Sequence, residues 1–107
     1  MCNEAALSAI ADSLHAALDF RHMGAETATT TVLIVDDDPT LLRLLGILLR
    51  EEGYRVAAAD SGERALALLH AERPQLVITD LRMGGMDGLA LFEAIRREFP
   101  LLPVIIL

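Results

Sequence analysis

Two groups of carboxylates in this 107-residue chain have the types and spacing to do chemistry: Asp36-Asp37-Asp38, and Asp80. Each follows a short apolar run, Val32 to Val35 in the first case and Leu76 to Ile78 in the second. Runs of branched residues this short fit buried strands better than helices, so each acidic group is delivered to the carboxyl end of a strand. In an open parallel sheet that end is where ligands bind. An aspartate held there is both accessible and rigid, as a nucleophile must be; capping the following loop is the other role open to Asp80. Gly84, Gly85 and Gly88 turn the chain into that loop, because glycine reaches conformations that other residues avoid.

If the two strands are parallel neighbours, three or four carboxylates share one pocket. They repel one another and raise one another's pKa, and a hard divalent cation is the simplest way to reconcile them. Magnesium suits oxygen ligands, keeps several waters and couples to phosphate chemistry. Asp38 stands apart: it directly precedes Pro39, a favoured first helical residue, and is expected to cap a helix.

The elements that must position these groups alternate along the chain. A strand from Thr31 to Asp36 leads into a helix from Pro39 to about Glu52, whose Leu41, Leu44, Leu45, Leu48 and Leu49 form an apolar face and which Gly53 stops. A strand from Tyr54 to Ala59 follows, then a turn at Asp60-Ser61-Gly62 and a helix to about Glu72. Ala65, Leu66, Leu68 and Leu69 face inward on that helix, His70 faces outward, and Pro74 lies beyond its end. After Asp80 comes a helix from Gly88 to about Phe99, with Leu89, Phe92 and Ile95 inward, and then a strand from Pro103 to Leu107. Such alternation implies right-handed crossovers and a parallel sheet.

Residues 1–30 form a separate unit. Leu7, Ile10, Ala11, Leu14 and Leu18 recur at helical spacing, with Glu4, Asp12 and Asp19 elsewhere, so an amphipathic helix is expected over residues 4–20 with Asn3 as its cap. A signal peptide is not expected, since there is no basic start and Asp12 interrupts the apolar run. His15 and His22 lack the companions a metal site needs and read as solvated side chains, and residues 21–30 read as a linker. Length and a hydrophobic content of 53% fit one domain, and no run is long enough to span a membrane. A net charge of -7 argues against direct nucleic-acid binding by this segment. The single Cys2 excludes an internal disulfide framework and is compatible with a reducing cytoplasmic location.

From Thr31 to Leu107 the chain resembles the receiver domain of a bacterial two-component response regulator. The residues that carry the resemblance are Val-Asp-Asp-Asp-Pro at 35–39, Asp-Ser-Gly at 60–62, Asp-Leu-Arg-Met at 80–83, Met-Asp-Gly at 86–88 and Pro-Val-Ile-Ile-Leu at 103–107. The last segments are especially similar to receivers of nitrogen-regulator-type transcription activators. The resemblance implies a doubly wound, flavodoxin-like α/β fold with strand order 2-1-3-4, in which the first and third strands are adjacent. It implies that Asp80 accepts a phosphoryl group from a sensor histidine kinase, making the chain a signalling domain and not an enzyme. Asp37 would bind magnesium directly, Asp36 through water, and the Arg82 main-chain carbonyl would be a further ligand. A carboxylate attacking a phosphoryl group needs that charge neutralised and the attack held in line.

The sequence departs from the family's pattern in three respects. Position 84 is glycine where these receivers usually have proline, there is no lysine anywhere, and the hydroxyl residue, fifth strand and further helices of the family are not in this sequence. Slow or absent phosphorylation is therefore expected, and so is an apolar face for the helix at 4–20 to cover, within the chain or in a homodimer. Two alternatives stay open: a phosphorylation-deficient interaction module, and a haloacid-dehalogenase-like phosphatase in which Asp36 is nucleophile, Asp38 the acid and Thr79 a phosphate contact.

Overall fold

A computed structural model describes residues 30–82 and 87–107. The helix expected over 4–20, its histidines and the glycine pair at 84–85 lie outside the described residues. The elements are β1 (Thr31–Val35), α1 (Pro39–Glu51), β2 (Arg55–Ala59), α2 (Gly62–Glu72), β3 (Leu76–Thr79), α3 (Gly88–Glu98) and β4 (Val104–Ile106). The strands form one parallel sheet in the order β2-β1-β3-β4, the doubly wound, flavodoxin-like order expected.

Both faces of the sheet are covered, which is why β1 and β3 read as continuous apolar runs without alternation. Side chains of consecutive strand residues point to opposite faces. Val32 and Ile34 of β1 and Leu76 and Ile78 of β3 pack with Leu45 and Leu49 of α1 on one side. On the other, Leu33, Val35 and Val77 pack with Ala65 and Leu69 of α2 and Leu91 and Ile95 of α3. Each large side chain fully buried this way contributes about 1.5–3 kcal/mol of transfer free energy.

Helix boundaries follow local chemistry. Asp38 Oδ1 accepts the Thr40 amide at 2.9 Å at the start of α1, as expected of a residue before Pro39. Gly53, with φ +93, reverses the chain at the other end in a conformation that a side chain would strain. Tyr54 belongs to that turn, not to β2, because its amide donates to Leu49 O at 3.0 Å. Ser61 Oγ caps α2 by accepting the Arg64 amide at 3.2 Å. Asp36 lies just beyond β1 and Pro103 and Leu107 flank β4, so three expected strands are a residue or two shorter. Thr30 is buried and its carbonyl accepts the Arg55 amide at 2.9 Å.

Two expected facings are corrected. Leu89 is 52% exposed, while Leu91 and Ile95 of the same helix are buried. Leu91 and Ile95 are four residues apart and share one line on α3; Leu89, two residues earlier, sits about 200° around the axis and faces away. Leu48 is 46% exposed, whereas Leu45 and Leu49 are buried. A five-leucine stripe is wider than the contact one sheet face offers, so the edge of the stripe stays out. His70 is exposed, as expected, but not idle: its Nε2 lies 2.9 Å from Glu98 Oε2 and its ring centroid 5.4 Å from that of Phe99, tying α2 to α3.

Candidate metal centre

The parallel register pairs Val35 with Thr79, so Asp36 and Asp80, the next residue of each strand, leave the sheet side by side. Main-chain bonds hold both in place. The Asp80 amide donates to Val35 O at 3.0 Å, and the Asp36 amide donates to Ala59 O at 3.1 Å. Thr79, fully buried, turns its hydroxyl onto Asp80 O at 3.1 Å. The branched strand residues thus deliver the carboxylates, and the neighbouring strands fix their height.

Asp36, Asp37 and Asp80 come together: each offers a carboxylate oxygen, and these lie within 4.8 Å of one another. Oxygens gathered this closely are within reach of one small hard cation with bonds of roughly 2.1 Å, directly or through a bound water. The three differ in access. Asp36 is buried at 3% exposure, Asp80 is half-buried and Asp37 is exposed. Asp36 Oδ1 accepts the Asp38 amide at 2.8 Å, and Asp80 Oδ1 accepts the Arg82 amide at 3.3 Å.

Burial raises the Asp36 pKa above 3.8, and the charges of Asp80, Asp37 and Asp38 push it the same way against the Asp38 amide hydrogen bond. Among the described residues the ion pairs are Arg64 with Asp60 and His70 with Glu98; none reaches the three clustered aspartates. A group of like charges with one buried member and no ion pair to it among the described residues, made wholly of hard oxygen donors, fits a hard divalent cation.

Arg82 is exposed and follows Asp80 by two residues; its carbonyl leads into residues outside those described. Asp38 is not in the cluster, because its side chain is spent on the cap. That placement and the buried, backbone-bonded hydroxyl of Thr79 remove the acid and the phosphate contact that the phosphatase alternative requires. Asp36 is a poor nucleophile there for the same reason, being almost fully buried.

Sequence reasoning missed what Gly88 does. It is the first residue of α3, is buried, and among the described residues the positive-φ glycine is Gly53. Its lack of a side chain serves close approach: a Cβ there would strike the Asp80 carbonyl oxygen and lie 2.8 Å from Leu81 Cα and 2.9 Å from the Asp80 carbonyl carbon. The signal was a glycine, a poor helix former, directly after the cap Asp87, whose Oδ1 accepts the Ala90 amide at 2.8 Å.

Residues 32–107 match the family model described as the response regulator receiver domain. Among curated proteins, the chain is 54% identical over 76 residues to the transcriptional regulatory protein GlrR of Escherichia coli K12, covering 71% of this chain and 17% of that protein. It is 40% identical over 76 residues to the DNA-binding transcriptional regulator NtrC of Salmonella typhimurium, covering 71% of this chain and 16% of that protein. The chain therefore spans about a sixth of the length of these relatives. A response regulator receiver protein from Pseudomonas putida superposes with a TM-score of 0.72 at 37% identity, covering 76% of this chain and 69% of that one. The chemotaxis response regulator CheY4 of Vibrio cholerae gives a TM-score of 0.70 at 28% identity, covering 74% and 68%.

Proposed function

The chain belongs to the response regulator receiver family of two-component signalling, with nitrogen-regulator-type relatives, and on that premise we propose that Asp80 is its phosphoacceptor. The observation that carries this reading is the meeting of Asp36, Asp37 and Asp80 at the carboxyl ends of adjacent strands. Asp80 is the member of the trio that follows β3 directly and is half-exposed, so a phosphodonor can reach it.

The donor is a phosphohistidine on a sensor kinase. An Asp80 carboxylate oxygen attacks phosphorus; the phosphorus–nitrogen bond breaks, the imidazole leaves and takes up a proton, and an aspartyl phosphate remains. Asp37, Asp80 and the Arg82 main-chain carbonyl directly, and Asp36 through water, would hold a magnesium ion, which would supply charge neutralisation for the phosphoryl oxygens. Asp36, with its Oδ1 fixed by the Asp38 amide, orients the ion-binding face, and the Arg82 amide on Asp80 Oδ1 holds one carboxylate oxygen so that the other is presented. Water later hydrolyses the product. Residues 31–107 form the receiver unit. The output is control of transcription, cytoplasmic and carried by segments outside this sequence, by analogy with relatives named as transcriptional regulators.

Mass spectrometry after incubation with acetyl phosphate and magnesium tests the assignment. On prolonged incubation wild type slowly gains one phosphoryl mass, as a site without the family's lysine would, and Asp80→Asn does not. Equal gain in both would move the acceptor elsewhere, and no gain in wild type would support an interaction module that accepts no phosphate.

A further inference from the structure

We propose that Gly88 is a positioning residue for the metal centre, acting through the peptide that joins Asp80 to Leu81; the inference rests on the reading of Asp36, Asp37 and Asp80 as magnesium ligands. The first turn of α3 lies directly against that peptide. The three atoms nearest to a Cβ at position 88 are all main chain: the Asp80 carbonyl oxygen, Leu81 Cα at 2.8 Å and the Asp80 carbonyl carbon at 2.9 Å. Such neighbours cannot yield as a flexible side chain does, so either α3 or the peptide must move.

That peptide is held at its carbonyl, and the peptides on either side of it are held too. The Asp80 amide is bonded to Val35 O at 3.0 Å, the Asp80 carbonyl accepts the Thr79 hydroxyl at 3.1 Å, and the Gly88 amide itself donates to Leu81 O at 3.1 Å. Gly88 therefore does two things: it closes the loop after β3 by a main-chain bond, and it lets the helix seat without turning the peptide. A displaced Asp80 carbonyl carbon tilts the Cα to which it is bonded, and the side chain on that Cα then swings relative to the oxygens of Asp36 and Asp37. Ligand oxygens gathered within 4.8 Å leave little room for such a swing before the set no longer closes on one ion. Gly88 touches neither metal nor phosphoryl group; it acts on the direction of a ligand that does.

Calorimetric titration of the full chain with magnesium chloride separates this role from simple destabilisation. Dissociation constant and stoichiometry are read separately: loss of folded chains lowers the stoichiometry, while a misdirected ligand weakens the constant. Gly88→Ala is expected to weaken magnesium binding by about tenfold, the usual scale for a group that orients a metal ligand. Asp87→Ala, which loosens the same helix start by removing the cap on Ala90 without adding a clash, is expected to shift the constant the same way by less. Leu89→Ala, on the outward side of that turn, is expected to bind as wild type does. Wild-type constants in both Gly88→Ala and Asp87→Ala would overturn the inference and leave the proposed function standing. Should Gly88→Ala not fold, a wild-type constant in Asp87→Ala overturns it alone. Absence of magnesium binding by wild type would sink the proposed metal centre and this inference together.

Discussion

The amide of Asp80 donates to the carbonyl of Val35 at 3.0 Å, and this bond between β3 and β1 sets the height at which Asp80 leaves the sheet beside Asp36. A shift of one residue in that register would turn every side chain of β3 to the opposite face and carry Asp80 out of the acidic cluster. The function rests on a pairing that is itself held by burial: Leu76 and Ile78 fit one layer, Val77 the other.

Stability is expected to depend on pH through Asp36. Its folded-state pKa is raised above 3.8, chiefly by burial, so between 3.8 and the raised value the folded state binds more protons than the unfolded one. Stability then falls as pH rises through that window, and the charged Asp36 remains a cost above it. In chelator, thermal melts of wild type and Asp36→Asn are expected to coincide at the acid end and diverge as pH rises, with Asn the more stable. Magnesium should narrow the gap by binding only the folded wild type. A difference that stays flat from about pH 4 to about pH 7 would contradict the linkage.

Asp37 is an exposed member of the cluster with no buried packing to lose. Asp37→Asn is expected to weaken magnesium affinity by about tenfold or more, roughly 1.4 kcal/mol, while shifting the melting temperature little in the absence of the ion. Calorimetry and circular dichroism on one preparation check both halves.

The Asp38 side chain serves the helix cap, while its main-chain amide bonds Asp36 Oδ1. Asp38→Ala removes the acceptor of the Thr40 amide and is expected to cost about 1 kcal/mol in denaturant titrations. The Asp38 main-chain amide still reaches Asp36 Oδ1, so acyl-phosphate formation should persist. Loss of phosphorylation with the fold intact would restore a direct role for Asp38.

Leu89 and Leu91 offer a paired test of how α3 faces the sheet. Leu91→Ala opens a cavity in the layer beneath α2 and α3 and is expected to cost about 2–5 kcal/mol. Leu89→Ala changes an exposed side chain and is expected to stay within about 0.5 kcal/mol of wild type. Similar losses in urea titrations would mean that the helix is rotated relative to the arrangement described.

The amino-acid sequence by itself determined the alternation of strands and helices, the cap at Asp38, the turn at Asp60-Ser61-Gly62, the stop at Gly53 and the acidic tips after Val35 and Thr79. These are local matters, decided by side-chain branching, by missing amides and by hydrogen bonds a few residues long. Only the tertiary structure decided which carboxylates meet, because adjacency of β1 and β3 is a pairing across more than forty residues that no short-range pattern encodes. It also decided which leucines of α1 and α3 are buried, since an apolar stripe states an angular range while the sheet covers only part of it. Gly88 shows the division most sharply: in the sequence it reads as a turn glycine at the start of a helix, and its actual constraint is the nearness of a backbone that arrives from eight residues earlier.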